Sequence, residues 1–285
     1  MKNHQLTALF TIKGLSAASG LFYGGNHLYL ISDSSSFLYH YNTETTVLEK
    51  IKVTGDSRDN IAKSEKPDFE AIGHYDGILY LFGSGSTNKR NRMFHVDTET
   101  KRLIGIVDLT KLYAAMQESA QLSSEDFNIE GALFDGQQWL LFNRGSGKTN
   151  KNIIFTIDDI TLKEHFKIDF IPYNLPAING ISSSFTDAIF FENKIYFLAT
   201  AEDTCSTYDD GKVFGSLLGQ IDCETMEIEG TVKISDSLKL EGLALYSNSE
   251  QSLEFLICED NDSETLESTI YKVVIQKGSL RNEKH

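Results

Sequence analysis

Residues able to do chemistry recur along this chain in a fixed phase. Ser19, Glu70, Glu130, Asp187 and Glu241 head five similar segments, at steps of 51, 60, 57 and 54 residues. Four of the five are acids. Carboxylates ~6 Å apart at an effective dielectric of ~20 repel by about 3 kcal/mol per pair. Four of them around one axis therefore need compensation. A bound hard cation, basic neighbours or raised pKa values would each supply it. The set has oxygen ligands only, which points to Ca²⁺, or to Mg²⁺ with retained waters, and away from zinc. The alternative is that these acids bond loop amides at strand starts.

A second set of polar residues lies a little further along each segment. It comprises Asp33, Ser84, Asn143, Arg144, Glu202, Glu259 and Asp260, with Lys66 just ahead of the acid of the second segment. Acids, a hydroxyl and an arginine around one mouth would make a ligand site, against the plainer reading of solvated loops. In such a site Lys66, Ser84, Asn143 and Arg144 are the ligand-binding candidates. Asp33, Glu202 and Glu259 are the candidate general bases. Gly145-Ser146-Gly147-Lys148-Thr149 has the ending of a phosphate-binding loop, but Phe142 stands where the earlier glycine belongs and no helix follows. The basic run Lys89-Arg90-Asn91-Arg92 reads as a solvated hairpin loop, the alternative being contact with an anionic ligand beside Arg144.

The elements that must position these residues are strands. Each segment opens with two apolar stretches separated by a two-residue turn signal, Gly24-Gly25, Asp76-Gly77, Asp135-Gly136 or Glu192-Asn193. A third strand, a turn such as Asn42-Thr43-Glu44-Thr45 or Asp97-Thr98-Glu99-Thr100, and a fourth strand follow. A four-stranded antiparallel unit of about 55 residues has the size of a propeller blade. The fifth unit lacks a fourth strand, and an orphan strand at Leu6–Ile12 is free to complete it. The expectation is an all-β chain forming a single five-bladed β-propeller over residues 1–275. Its blades are placed at 16–53, 66–109, 125–170, 184–234 and 238–275 plus 6–12, the N-terminal strand closing the last blade. A helix is expected at Thr110–Gln121, and a disordered tail at 276–285. The first strand of each blade would line the central channel, bringing both sets of residues to one face.

Composition agrees with a globular chain and narrows its partners. The 285 residues carry 41 acids against 26 Lys and Arg, a net charge of −15. Such a surface repels phosphate backbones and anionic lipid, so neither nucleic acid nor membrane is an expected partner. Three cysteines, Cys205, Cys223 and Cys258, form no disulfide or zinc pattern. The N-terminus has no signal-peptide core. A cytoplasmic location is expected, with a mature secreted form as the alternative.

The blade pattern resembles the calcium-activated nucleotidases (apyrases). The resemblance rests on Ser19-Gly20-Leu21-Phe22, on Arg144 within Leu-Leu-Phe-Asn-Arg-Gly, on Leu198-Ala-Thr-Ala-Glu-Asp and on Lys239-Leu-Glu-Gly-Leu. It implies a five-bladed propeller with one axial Ca²⁺ held by Ser19, Glu70, Glu130, Asp187 and Glu241. That family carries an arginine-containing run after the second strand of blade one, where this chain reads Ser32-Asp33-Ser34-Ser35-Ser36. The chain is also similar to uncharacterised bacterial propellers with repeated Glu-Gly or Glu-Ala blade starts. Two functions lead as expectations, with a glycosidase using three axial carboxylates as a weaker third. One is a metal-dependent hydrolase of small phosphorylated substrates, with Arg144 and Lys66 facing developing negative charge. The other is a non-catalytic propeller that binds a small anionic ligand or a protein, with a structural axial cation.

Overall fold

In the structure, a computed structural model, residues 4–280 are described apart from 16, 56, 146–147, 164–166, 205–210 and 262–264. The chain opens with β1 (His4–Lys13). Blade one is β2 (Gly20–Gly24), β3 (His27–Ile31), β4 (Phe37–Asn42) and β5 (Val47–Lys52). Blade two is β6 (Phe69–Tyr75), β7 (Ile78–Gly83), β8 (Arg92–Asp97) and β9 (Arg102–Asp108), followed by helix α1 (Thr110–Ala120). Blade three is β10 (Ile129–Phe134), β11 (Trp139–Asn143), β12 (Asn152–Ile157) and β13 (Ile168–Tyr173). Blade four adds a short strand: β14 (Ala177–Ile178), β15 (Ile181–Phe191), β16 (Lys194–Asp203), β17 (Lys212–Asp222) and β18 (Ile228–Ser235). Blade five is β19 (Leu240–Asn248), β20 (Ser252–Glu259) and β21 (Glu267–Gln276), with β1 paired antiparallel to β21.

The expected five-bladed, all-β propeller is therefore present, with the N-terminal strand as the outermost strand of the last blade. Pairing His4 with Ile275 and Lys13 with Glu267 satisfies the β21 edge and closes the ring. The innermost strands β2, β6, β10, β15 and β19 each contact the next around the axis. Turn chemistry explains the hairpins. Asp76 and Gly77, and likewise Glu192 and Asn193, both have positive φ, the requirement of a two-residue type I′ turn. In blade one the turn is Gly25-Asn26, one residue later than expected, because Gly24 still pairs with His27.

The core lies between blades, where the outer face of one sheet packs on the next. Trp139, fully buried, stands edge-on to Tyr80 at 5.0 Å and to Phe82 at 5.2 Å, locking blade three onto blade two. α1 buries Leu112, Tyr113, Met116 and Ala120 in the same cluster, the spacing of one helical face. At the C-terminus Leu280 is buried at 3% exposure, so the expected disordered tail does not begin at 276. Residues 281–285 of that tail lie outside the described residues.

Candidate functional site: the charged mouth of the channel

Strand alternation and one recurring irregularity build the site. The ladder between the first and second strands shifts register at Phe69/Ala71, Ile129/Gly131, Phe185/Asp187 and Leu240/Leu243. Each shift is a β-bulge, which leaves an extra residue unpaired and re-aims its side chain. The residues inside these bulges are Glu70, Glu130, Thr186, and Glu241 with Gly242. Blade four thus presents Thr186 at the ring position, and the expectation of Asp187 there is corrected by one residue. The hydroxyls confirm the equivalence. Ser19 Oγ donates to Phe69 O at 2.5 Å, one residue before Glu70, and Thr186 Oγ1 donates to Leu240 O at 2.8 Å, one residue before Glu241. Asp187 instead accepts the amides of Ala188 and Leu243, both at 2.7 Å, and clamps blade four to blade five. Burial pushes its carboxyl well above the usual range.

A cavity of about 330 Å³ opens at this end of the channel, lined by Ser19, Glu70, Glu130 and Glu241 of the ring together with Asp33 and Arg144. Its other charged walls are Lys63, Lys66, Asp68, Arg90, Lys239 and Asp260. The acids here are met by built-in cations. Arg144 Nη1 bonds Glu130 at 2.8 Å and its Nη2 bonds Glu202. Glu130 also accepts Asn128 Nδ2 at 2.6 Å. Lys239 pairs with Glu241 at 3.5 Å and with Asp260 at 2.5 Å. Lys66 pairs with Asp33 and, at 2.8 Å, with Asp68. Arg90 Nη1 bonds Asp68 at 2.7 Å. Burial alone would lower the lysine pKa values. The adjoining carboxylates outweigh it, raising Lys66 through Asp68 and Asp33, and Lys239 through Asp260 and Glu241.

Glu70 is the exception. It is half-buried, lines the cavity, and among the described residues makes no hydrogen bond and no ion pair. Burial, then the charges of Asp68, Glu130 and Asp33, push its carboxyl well above the usual range against the pull of Lys66. Oxygens of Glu70, Asp33 and Asp68 lie within 4.8 Å of one another. Arg144 is also incompletely satisfied, since its buried Nε–H has no acceptor among the described residues.

The remaining predicted residues divide. Glu202 reaches the site through Arg144 and accepts Gly211 N at 2.7 Å. Ser84 is fully buried behind Asp68, to which it donates. Asn143 is fully buried and ties loops together, accepting Asn128 N at 2.9 Å and donating to Lys151 O at 3.1 Å. Neither lines the cavity, nor does Glu259, which accepts the Tyr271 hydroxyl at 2.7 Å. Arg90 is no solvated loop residue. The 3₁₀ turn Asn88–Arg90 swings it inward to 5% exposure, where it also bonds Lys63 O at 2.8 Å. Of the phosphate-loop look-alike, Ser146 and Gly147 lie outside the described residues.

Asp68 and Lys239 were missed as members of the site, and Arg90 was placed there only by the less favoured reading of its basic run. A signal existed for the first two. Lys66, Asp68 and Glu70, like Lys239 and Glu241, alternate at period two, and alternate residues of an extended chain share a face.

Comparison with known proteins places the fold in context. The chain belongs to a family of unknown function, DUF6929, whose match spans residues 14–275. No curated protein matches it. Among solved structures, the glutaminyl cyclase of Myxococcus xanthus superposes with a TM-score of 0.55 at 12% identity, covering 95% of this chain and 97% of that one. The PQQ-bound aldose sugar dehydrogenase of Streptomyces coelicolor gives 0.52 at 10% identity, covering 95% and 98%. At such identities the likeness is one of fold.

Proposed function

We propose that this DUF6929 propeller is a binding protein whose charged mouth accepts a small, positively charged ligand. One observation carries the reading. Among the described residues the mouth gathers seven carboxyl groups, including Glu202 behind Arg144 and the unpartnered Glu70, against five cationic side chains, Lys63 included. A buried network short of positive charge is relieved by a bound cation or by protons. It gains nothing from an anion.

The hydrolase reading is less favoured on the same ground. To meet a phosphoryl group, Arg144 would have to leave Glu130 and Glu202, and Lys66 would have to leave Asp33 and Asp68. The apyrase-like axial Ca²⁺ does not fit the five ring positions either. Blade four offers the neutral Thr186 in place of an acid, and Glu130 and Glu241 already pair with Arg144 and Lys239, cations that would repel the ion. A metal ion would have to use Asp33, Asp68 and Glu70 beside Lys66.

Melting curves of the desalted protein test the reading. Ca²⁺, Mg²⁺ and organic ammonium ions are compared with phosphate and ATP, at constant ionic strength. At least one cation is expected to raise Tm, and neither anion. A rise with ATP or phosphate alone, or no response to any cation, contradicts it.

A further inference from the structure

The mouth distinguishes among cations by what it already contains. Lys66 holds Asp33 and Asp68, two members of the three-carboxyl cluster, and leaves Glu70 open. A hard divalent ion wants six to eight oxygen ligands at close range. Here it would share two of three carboxylates with a resident ammonium group, at like-charge cost. The space is also wrong for a bare ion, since a cavity of about 330 Å³ has the size of a small-molecule site. A second unfinished group lies in the same wall. Arg144 is 8% exposed, lines the cavity, and keeps a buried Nε–H that lacks an acceptor among the described residues. Glu130 bridges the two unfinished groups: it is bonded to Arg144, and its charge is felt by Glu70.

We infer that the cavity binds a small primary amine whose ammonium group donates to Glu70 and whose neighbouring hydroxyl or carbonyl oxygen faces Arg144. The inference rests on the cation-accepting reading above and specifies the ligand class. A primary ammonium brings one positive charge and three donors, so it meets the Glu70 carboxylate and an adjacent acid without displacing Lys66. Charge-assisted hydrogen bonds of this kind are about twice as strong as neutral ones. A quaternary ammonium brings the charge without the donors. A diol brings the donors without the charge.

Isothermal titration separates these cases, with ethanolamine as the probe and ethylene glycol, choline and CaCl₂ as comparisons, on the wild-type chain and on Glu70→Gln. The glutamine variant keeps size and polarity, and its melting curve verifies that it folds. Ethanolamine is expected to bind, choline about tenfold or more weakly, and ethylene glycol not at all. Glu70→Gln is expected to weaken ethanolamine by about tenfold or more. Ethanolamine binding equally to wild type and variant overturns the inference, as does choline matching ethanolamine. Binding of Ca²⁺ without ethanolamine overturns the amine assignment while leaving the cation-accepting mouth intact. Absence of both overturns the two together.

Discussion

At the scale of single residues, the decisive feature is which acids have partners. Arg144 neutralises two buried carboxylates from different blades, Glu130 and Glu202. Removing one member of a buried ion pair typically costs about 3–5 kcal/mol, because the other charge is stranded. Arg144→Met is therefore expected to lose about that much stability in urea titration. Adding Glu130→Gln and Glu202→Gln should recover most of it. A loss under 1 kcal/mol for the single variant would mean that the network is solvated and does not need this partner. The ring of acids was legible in the sequence because its members recur in phase. Two things were not. The bulge in blade four moves the ring position from Asp187 to Thr186, and a one-residue slip turns every side chain to the other face. Arg90 was placed beside Arg144 only as the weaker reading, because a basic run does not show which of its residues a 3₁₀ turn folds inward.

At the scale of elements, four-stranded units and ring closure could be read directly, since strand alternation is a local signal. The turns were less exact: Asp135-Gly136 lies in a four-residue loop between Phe134 and Trp139. Which glycines mattered could not be read, because close approach is a property of neighbouring blades. Gly73 on β6 is the clearest case. A Cβ there would stand 2.5 Å from Trp139 Cζ3 and 2.8 Å from Cη2. Trp139 is fully buried against Tyr80 and Phe82, and its Nε1 donates to Ile160 O at 3.0 Å, so it has little room to yield. Gly73→Ala is expected to cost about 1–3 kcal/mol as overpacking. Because Trp139 is the only tryptophan, its fluorescence should report the displacement in the native state. An unchanged spectrum and unchanged stability would show that the junction between blades two and three is looser than the packing implies. The same junction holds the cavity in shape, since β6 and β10 carry Glu70 and Glu130.

At the scale of the whole molecule, a net charge of −15 is not spread evenly, because seven carboxyl groups converge on one channel mouth. Burial raises the Glu70 and Asp187 carboxyls in the folded state. A raised carboxyl contributes stability that is complete below its unfolded pKa, near 4.5 for Glu70, and is lost as pH rises through the folded value. Carboxyls held low, such as Asp126 and Asp108, act in the opposite sense, and their contribution fades as pH falls through their folded values. Stability of the ligand-free chain should therefore increase as pH is lowered from 8 toward 5, then decline on further acidification. Removing one unpaired charge from the mouth should have the effect of lowering the pH. The most direct measurement is the melting temperature of Glu70→Gln beside wild type at pH 8, in buffer free of metals and amines. The variant is predicted to melt higher, by about 2 °C for each 1 kcal/mol of relieved repulsion, with the gap closing when a cationic ligand is added. A variant that melts lower than wild type in that buffer would contradict the claim that the mouth is short of positive charge.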